Sequence, residues 1–184
     1  MSGDIKPWEL YPQFWKTEAM YLSWIRGGIR RYLWSKNPVK LEFVKESRVQ
    51  IPNPSTRKGA KPFIWGGQCE ICKKYFPQPE MEVDHRTGEH SLKKVEDIQK
   101  FVEGIVFVRK EDLAFLCKPC HKIKTNAERK GLTQEESAID KEAIRICKQK
   151  ADVVKSWIIE RGETPARTVP ERKVQVLRML TEGK

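Results

Sequence analysis

The chain has 184 residues, 39% apolar and 33% charged, enough for one ordinary domain or a small core with helical additions. No run of apolar residues approaches the ~20 needed to cross a bilayer, which excludes a helical membrane span. The formal net charge is +11 with a pI near 9.5, which suits a polyanionic partner and makes nucleic acid the first candidate.

The opening Met-Ser-Gly-Asp-Ile-Lys-Pro-Trp lacks a basic segment followed by an apolar core, so the expectation is an intracellular, non-secreted protein. Residues 1–60 carry 11 basic and five acidic side chains, more than half of the whole excess. Residues 13–35 read as a helix, with Phe14, Met20, Tyr21, Trp24, Ile25 and Ile29 at helical spacing and Tyr32 and Leu33 extending the stripe. Gly27-Gly28 is expected to weaken or bend it, and Asn37-Pro38 to end it. The aromatics here are read as packing against the central module, with Arg26, Arg30 and Arg31 left to meet phosphate. Residues 50–62, rich in Pro, Gly, Ser and basic side chains, read as a loop in which Arg57, Lys58 and Lys61 can contact a nucleic-acid backbone.

Next come Phe63-Ile64-Trp65 as a short strand, Met81 to His85 as a second, Val95 to Val108 as an inserted helix, and Leu113 to Leu116 as a further strand. His121 to Lys130 reads as a helix stopped at Gly131. Residues 133–161 form a long helical pattern with a break near Lys150, opened by the capping-box pair Thr133 and Glu136. Thr168-Val-Pro-Glu171 starts a last helix.

Five cysteines in an intracellular chain argue against a disulfide framework. Cys147 stands alone in a helical pattern and reads as a small buried hydrophobe. The other four form two CxxC turns, Cys69-Glu-Ile-Cys72 and Cys117-Lys-Pro-Cys120, and two such turns supply the four thiolates of a tetrahedral structural zinc. An iron–sulfur cluster or four unbound thiols are the alternatives. Gly66-Gly67 and Pro119 fit tight metal turns.

Two of the three histidines sit beside these motifs, in Val83-Asp84-His85 and Cys120-His121. Adjacent residues on a strand face opposite sides, so Asp84 and His85 serve one site only where the backbone bends or the site wraps around the strand end. Asp84 and His121 make a partial ligand set with open positions for water and phosphate oxygens. His85, left outside it, can take a proton from water near neutral pH. The plainer alternative makes His121 a spare zinc ligand or helix-cap residue, and Asp84 and His85 ordinary surface groups. His90 reads as a loop residue at the start of the insertion.

Together Cys69-x-x-Cys72, Val83-Asp84-His85, Leu113-Ala-Phe-Leu-Cys117-x-x-Cys120-His121 and Lys124-Thr125 resemble the HNH endonucleases, the zinc-bearing branch of the ββα-metal nucleases. The resemblance covers about residues 63–131. It implies an α+β fold in which a small ββα-metal core, stapled by a four-cysteine zinc site, is flanked by N- and C-terminal helices. The domain limits are then a basic helical extension and linker over 1–62, the core over 63–131 and a helical extension over 132–184. It implies His85 as general base, Asp84 and His121 as holders of a catalytic Mg²⁺ or Mn²⁺, and Cys69, Cys72, Cys117 and Cys120 as structural zinc ligands. The resemblance implies DNA cleavage to 5′-phosphate and 3′-hydroxyl ends and matches Lys124; Lys122 beside it, and Arg57 and Lys58 in the preceding loop, are further candidate backbone contacts. The position usually held by Asn, which helps to fix the loop bearing the base, is Asp112 here, and an ionised Asp accepts hydrogen bonds without donating them. A non-catalytic zinc-stabilised DNA-binding module and an RNA-directed protein are the competing readings. A single HNH site cuts one strand per encounter, so double-strand cutting requires a homodimer or two events. Small stand-alone HNH chains resemble those of phages and mobile elements, which suggests the cytoplasm of a bacterial or phage-infected cell as the setting.

Overall fold

The computed structural model describes residues 5–88 and 91–183; Glu89 and His90, the latter read above as a loop residue, lie outside the described residues. The fold is 55% helical with two small antiparallel sheets, and it divides into two compact units, Met1–Lys118 and Pro119–Lys184.

In the first unit, helix α1 (Pro7–Leu10) precedes α2 (Glu18–Gly28). The Met20 amide donates to the Thr17 hydroxyl, a cap that starts α2 five residues later than the apolar stripe suggested. The stripe divides. Tyr21, Ile25 and Ile29 pack with the buried Leu22 against Phe101 and Ile105 of a later helix, while Met20, Trp24, Tyr32 and Leu33 are exposed. Apolar residues encircle more of α2 than one packing face can cover. Trp15, Tyr21 and Trp24 therefore meet one another at the surface, with ring centroids 5.1–6.0 Å apart.

The helix runs through Gly27-Gly28 and then widens into a π-helical segment, Ile29–Trp34, where the Ser35 amide reaches back five residues to the Arg30 carbonyl. Asn37 ends that segment and begins another helix. Its side chain accepts from the amides of Val39 (3.0 Å) and Lys40 (3.3 Å) and donates to the Val106 carbonyl (3.2 Å), capping α3 (Pro38–Ser47). Helix α3 buries no residue completely, so it left no periodic signal in the sequence.

Strands β1 (Val49–Pro52), β2 (Phe63–Gln68) and β3 (Tyr75–Pro77) form one sheet in that order. Strand β4 (Met81–His85) pairs with β5 (Leu113–Cys117) in the other, Met81 opposite Cys117 and His85 opposite Leu113. Every residue of β5 is buried, which explains its uninterrupted apolar run. Between β4 and β5, helix α4 (Ile98–Val106) buries Phe101 and Ile105. The Asp97 carboxylate accepts from the amides of Lys93 (3.0 Å) and Lys94 (3.1 Å) ahead of it, and these bonds lower its pKa.

Gly66 and Gly67 lie inside β2 rather than in the metal turn. A Cβ on Gly66 would stand 2.4 Å from the Phe76 carbonyl oxygen, and one on Gly67 would stand 2.2 Å from Cε1 of Phe115. Their role is close approach, not turn geometry.

Helix α5 (Lys118–Lys130) follows β5 without a break and begins three residues before His121, so the second CxxC opens the helix. Gly131, at φ +66°, stops it. In the second unit, α6 (Gln134–Cys147), α7 (Ala151–Ile159) and α8 (Val169–Thr181) enclose Ala143, Ile146, Val154, Ile158, Val176 and Met179, with Cys147 packed at the margin. The expected capping box of Thr133 with Glu136 forms, and Thr168 with Glu171, where the last helix was expected to start, forms a second. Asn126 joins α5 to α6, donating to Ser137 Oγ (3.1 Å) and Asp140 Oδ2 (2.9 Å), the latter also held by Lys130 (2.6 Å).

Candidate metal centre and histidine cavity

The first cysteine pair occupies the turn between β2 and β3. The Lys73 amide donates to the Cys69 carbonyl (2.9 Å) and the Cys69 amide to the Lys74 carbonyl (2.9 Å), while Lys73 takes a left-handed φ of +58°. The second pair places Cys117 at the end of β5 and Cys120 in the first turn of α5. All four Sγ atoms lie within 4.8 Å of one another, and those of Cys72 and Cys117 are 3.9 Å apart. A tetrahedron with zinc–sulfur bonds of about 2.3 Å has sulfurs about 3.8 Å apart, so the cluster fits a structural zinc ion. Burial pushes the Cys69 thiol up. The amides of Cys117, Cys72 and Ile71 and the Cys72 side chain outweigh it, bringing the thiol down to about 7. Amide donors around a thiolate are what a sulfur-bound cation requires of its surroundings.

Glu70, inside the first pair, ties this turn to both strands of the second sheet. Its amide donates to the Phe115 carbonyl (3.0 Å), and its Oε1 accepts from the Phe115 amide (3.0 Å). Its other oxygen pairs with Arg86, the residue after His85. Arg86 Nε donates to the Glu111 carbonyl (2.8 Å) and its amide to the Asp112 carbonyl (2.8 Å). The metal turn thereby braces the strand end that carries His85.

His85 is buried at the end of β4, with its ring stacked on Trp34 at a centroid distance of 4.6 Å and 25° between planes. Lys40 Nζ lies 4.9 Å from the centroid of the Trp34 ring, and burial lowers its pKa. His85 and Asp112 line a cavity of about 220 Å³ with Thr87, Gly104, Phe107 and Val108. The Asp112 carboxylate accepts from Arg109 Nη2 (2.9 Å), Nε (3.2 Å) and amide (2.9 Å). These bonds, with a smaller contribution from His85, hold its pKa down at about 2, so it is ionised at neutral pH. An ionised carboxylate, paired with Arg109, therefore shares the cavity wall with His85.

Asp84 is half-buried opposite Ala114, and strand alternation turns it to the other face from His85. His121 is half-buried on α5, where Lys122 is exposed and Lys124 is buried in an ion pair with Glu128 (2.5 Å). Arg57 and Lys58 are exposed in the loop between β1 and β2. The four cysteines are thus brought together, as are His85 and Asp112. Nothing in the sequence marks Trp34, Arg86 or Glu70 as site residues. The Arg109-to-Asp112 spacing of three and the Lys124-to-Glu128 spacing of four are local signals in the sequence.

Comparison with protein-family models, with curated proteins and with solved structures finds no match. Among the described residues no helix is long and apolar enough to cross a membrane.

Proposed function

We propose that the chain is a metal-dependent DNA endonuclease of the HNH type, with β4, β5 and α5 supplying the ββα-metal core. The observation that carries this reading is His85, buried at a strand end, oriented by the Trp34 ring and set beside the ionised Asp112 in a cavity. A general base needs a fixed orientation and access to a water, and this setting offers both. The surrounding motif order, Asp84-His85 between two CxxC pairs with His121 directly after the second, gives each group a role in one reaction.

His85 takes the proton of the attacking water, with Asp112 as the nearby countercharge. Asp84 and His121, a carboxylate and an imidazole, suit Mg²⁺ or Mn²⁺ and would hold it. When bound, the cation supplies electrostatic stabilisation of the charge that develops on the phosphate and on the departing 3′-oxygen. The four-cysteine zinc holds the strand ends that present these groups. The net charge of +11 favours a polyanionic substrate.

The test is cleavage of supercoiled plasmid with Mg²⁺ or Mn²⁺, with EDTA, and with His85→Ala. Metal-dependent nicking or linearisation lost in the variant supports the reading, and the ratio of open-circle to linear product separates single-strand from paired cutting. DNA binding with no cleavage under any metal would favour a non-catalytic zinc-stabilised binding module instead.

A further inference from the structure

We infer that the β1–β2 hairpin is a preformed duplex-DNA docking element, gripping phosphates with its loop and presenting an aromatic face to the duplex. This rests on the DNA reading above and adds to it a surface separate from the histidine cavity.

From Arg48 to Gln68 the chain carries four basic residues and no acidic one. Three of them, Arg57, Lys58 and Lys61, are exposed in the loop. Several other surface cations are neutralised locally: Arg86 by Glu70, Arg109 by Asp112, Lys110 by Glu46, Arg145 by Glu142 and Arg178 by Glu163. Among the described residues no carboxylate pairs with the three loop cations. An uncompensated cluster of this kind is complementary to a polyanion and repels a second copy of the same chain.

The loop is also built. Asn53 clamps its base, its amide donating to the Pro62 carbonyl (2.9 Å) and its Nδ2 to the Lys61 carbonyl (2.8 Å), while its Oδ1 accepts from the Ser55 amide (3.0 Å). At the tip, the Ala60 amide donates to the Arg57 carbonyl (3.0 Å) and Gly59 takes a φ of +80°. The loop backbone therefore has little ordering entropy left to lose on meeting phosphates, and only the rotamer freedom of the three side chains opposes binding.

The strands add a surface. The register sets Gln50 opposite Trp65 and Pro52 opposite Phe63, on the face away from the buried Ile51. Phe63 and Trp65 are 56% and 44% exposed, and the Arg48 guanidinium lies 4.3 Å from the Trp65 ring centroid. A two-stranded ribbon fits the major groove, about 12 Å wide, with basic side chains reaching the phosphates. Charge and shape together favour duplex nucleic acid over an apolar protein surface.

The test is anisotropy titration of short fluorescent DNA duplexes by the full chain in the absence of divalent metal, repeated over a series of KCl concentrations. Each lost phosphate contact lowers the slope of log K against log salt by about 0.9. Arg57→Ala/Lys58→Ala/Lys61→Ala should therefore flatten the slope by about 2.7, with zinc content and thermal midpoint unchanged. Trp65→Ala should weaken binding several-fold with the slope retained. A matched triple variant in the second unit, Lys148→Ala/Lys150→Ala/Lys155→Ala, should change the slope less. A wild-type slope in the hairpin variant, or equal flattening in the matched control, overturns the inference and leaves the DNA reading standing. Tighter binding to single strands or to an RNA duplex overturns the duplex-DNA assignment. No binding of wild type to any duplex overturns the inference together with the DNA reading.

Discussion

Replacing Gly67 with Ala tests the packing between the two sheets. The added Cβ would meet Phe115 at 2.2, 2.7 and 3.3 Å, where ordinary contact begins near 3.4 Å. Phe115 is 4% exposed and meets the Phe43 ring at 6.5 Å and 82°, so the buried ring has little room to retreat. Overpacking of this kind costs about 1–3 kcal/mol, and a contact so short belongs at the upper end. Removing glycine also stabilises by about 0.4–1 kcal/mol through the unfolded chain. The steric cost wins, leaving a net loss of about 2 kcal/mol. For a chain of this size that corresponds to a fall in thermal midpoint of about 4–8 °C. Circular dichroism melts with zinc present would read it. The same substitution in a Phe115→Leu background should cost markedly less, because the closest atom, Cε1, is gone. A midpoint within about 1 °C of wild type, or an equal cost in both backgrounds, would refute the reasoning.

Loss of one thiolate should abolish the metal site: Cys72→Ser or Cys120→Ser is expected to lower bound zinc, measured by elemental analysis, from one per chain to none, and retention of a full equivalent would remove the four-sulfur assignment. Asp112 has a folded pKa of about 2 against an ordinary 3.8, so its stabilising contribution is present above pH 3.8 and is lost as pH falls through 2. Arg109→Ala should return the Asp112 midpoint toward 3.8, followed by carbon-13 NMR; an unmoved midpoint would show that Arg109 is not its cause. On the proposed nuclease reading, with the Trp34 ring orienting His85, Trp34→Ala should slow cleavage about 2- to 13-fold, the rate equivalent of about 0.5–1.5 kcal/mol of ring stacking. Trp34→Phe should keep most of that rate, and equal loss in both variants would argue for a structural role alone. Thr168→Ala removes the cap of α8 and should cost about 1 kcal/mol in urea melts.

What the sequence displayed was whatever depends on neighbours in the chain. The capping boxes at Thr133 and Thr168, the stop at Gly131, the break near Lys150 and the CxxC turns are local chemistry, and the structure contains each of them. Strand β5 announced itself as a buried apolar run. Strands β1 and β3, four and three residues long, are too short to show a period, and α3 buries nothing completely. Gly66-Gly67 was attributed to the metal turn because a glycine does not reveal whether it is needed for rotation or for space. Trp34 against His85 is a contact between distant segments, set by the phase of a helix that changes its winding midway. Asp112 was noticed only through a resemblance; its charge state depends on Arg109, which nothing in that motif marks.

The change of winding at Ile29–Trp34 bears on how the chain tolerates changes in length. On one side α2 is anchored through Leu22 and Ile25; on the other, Trp34 is fixed by His85 and Asn37 by the Val106 carbonyl. The wider turn lodges additional residues between two fixed points without rotating either. A one-residue deletion among Arg30–Leu33 would tighten that turn toward α geometry and leave both anchors in register, whereas the same deletion within α2 would swing every downstream side chain by about 100°. The segment holds slack in the chain, and a one-residue deletion should be tolerated better there than within α2.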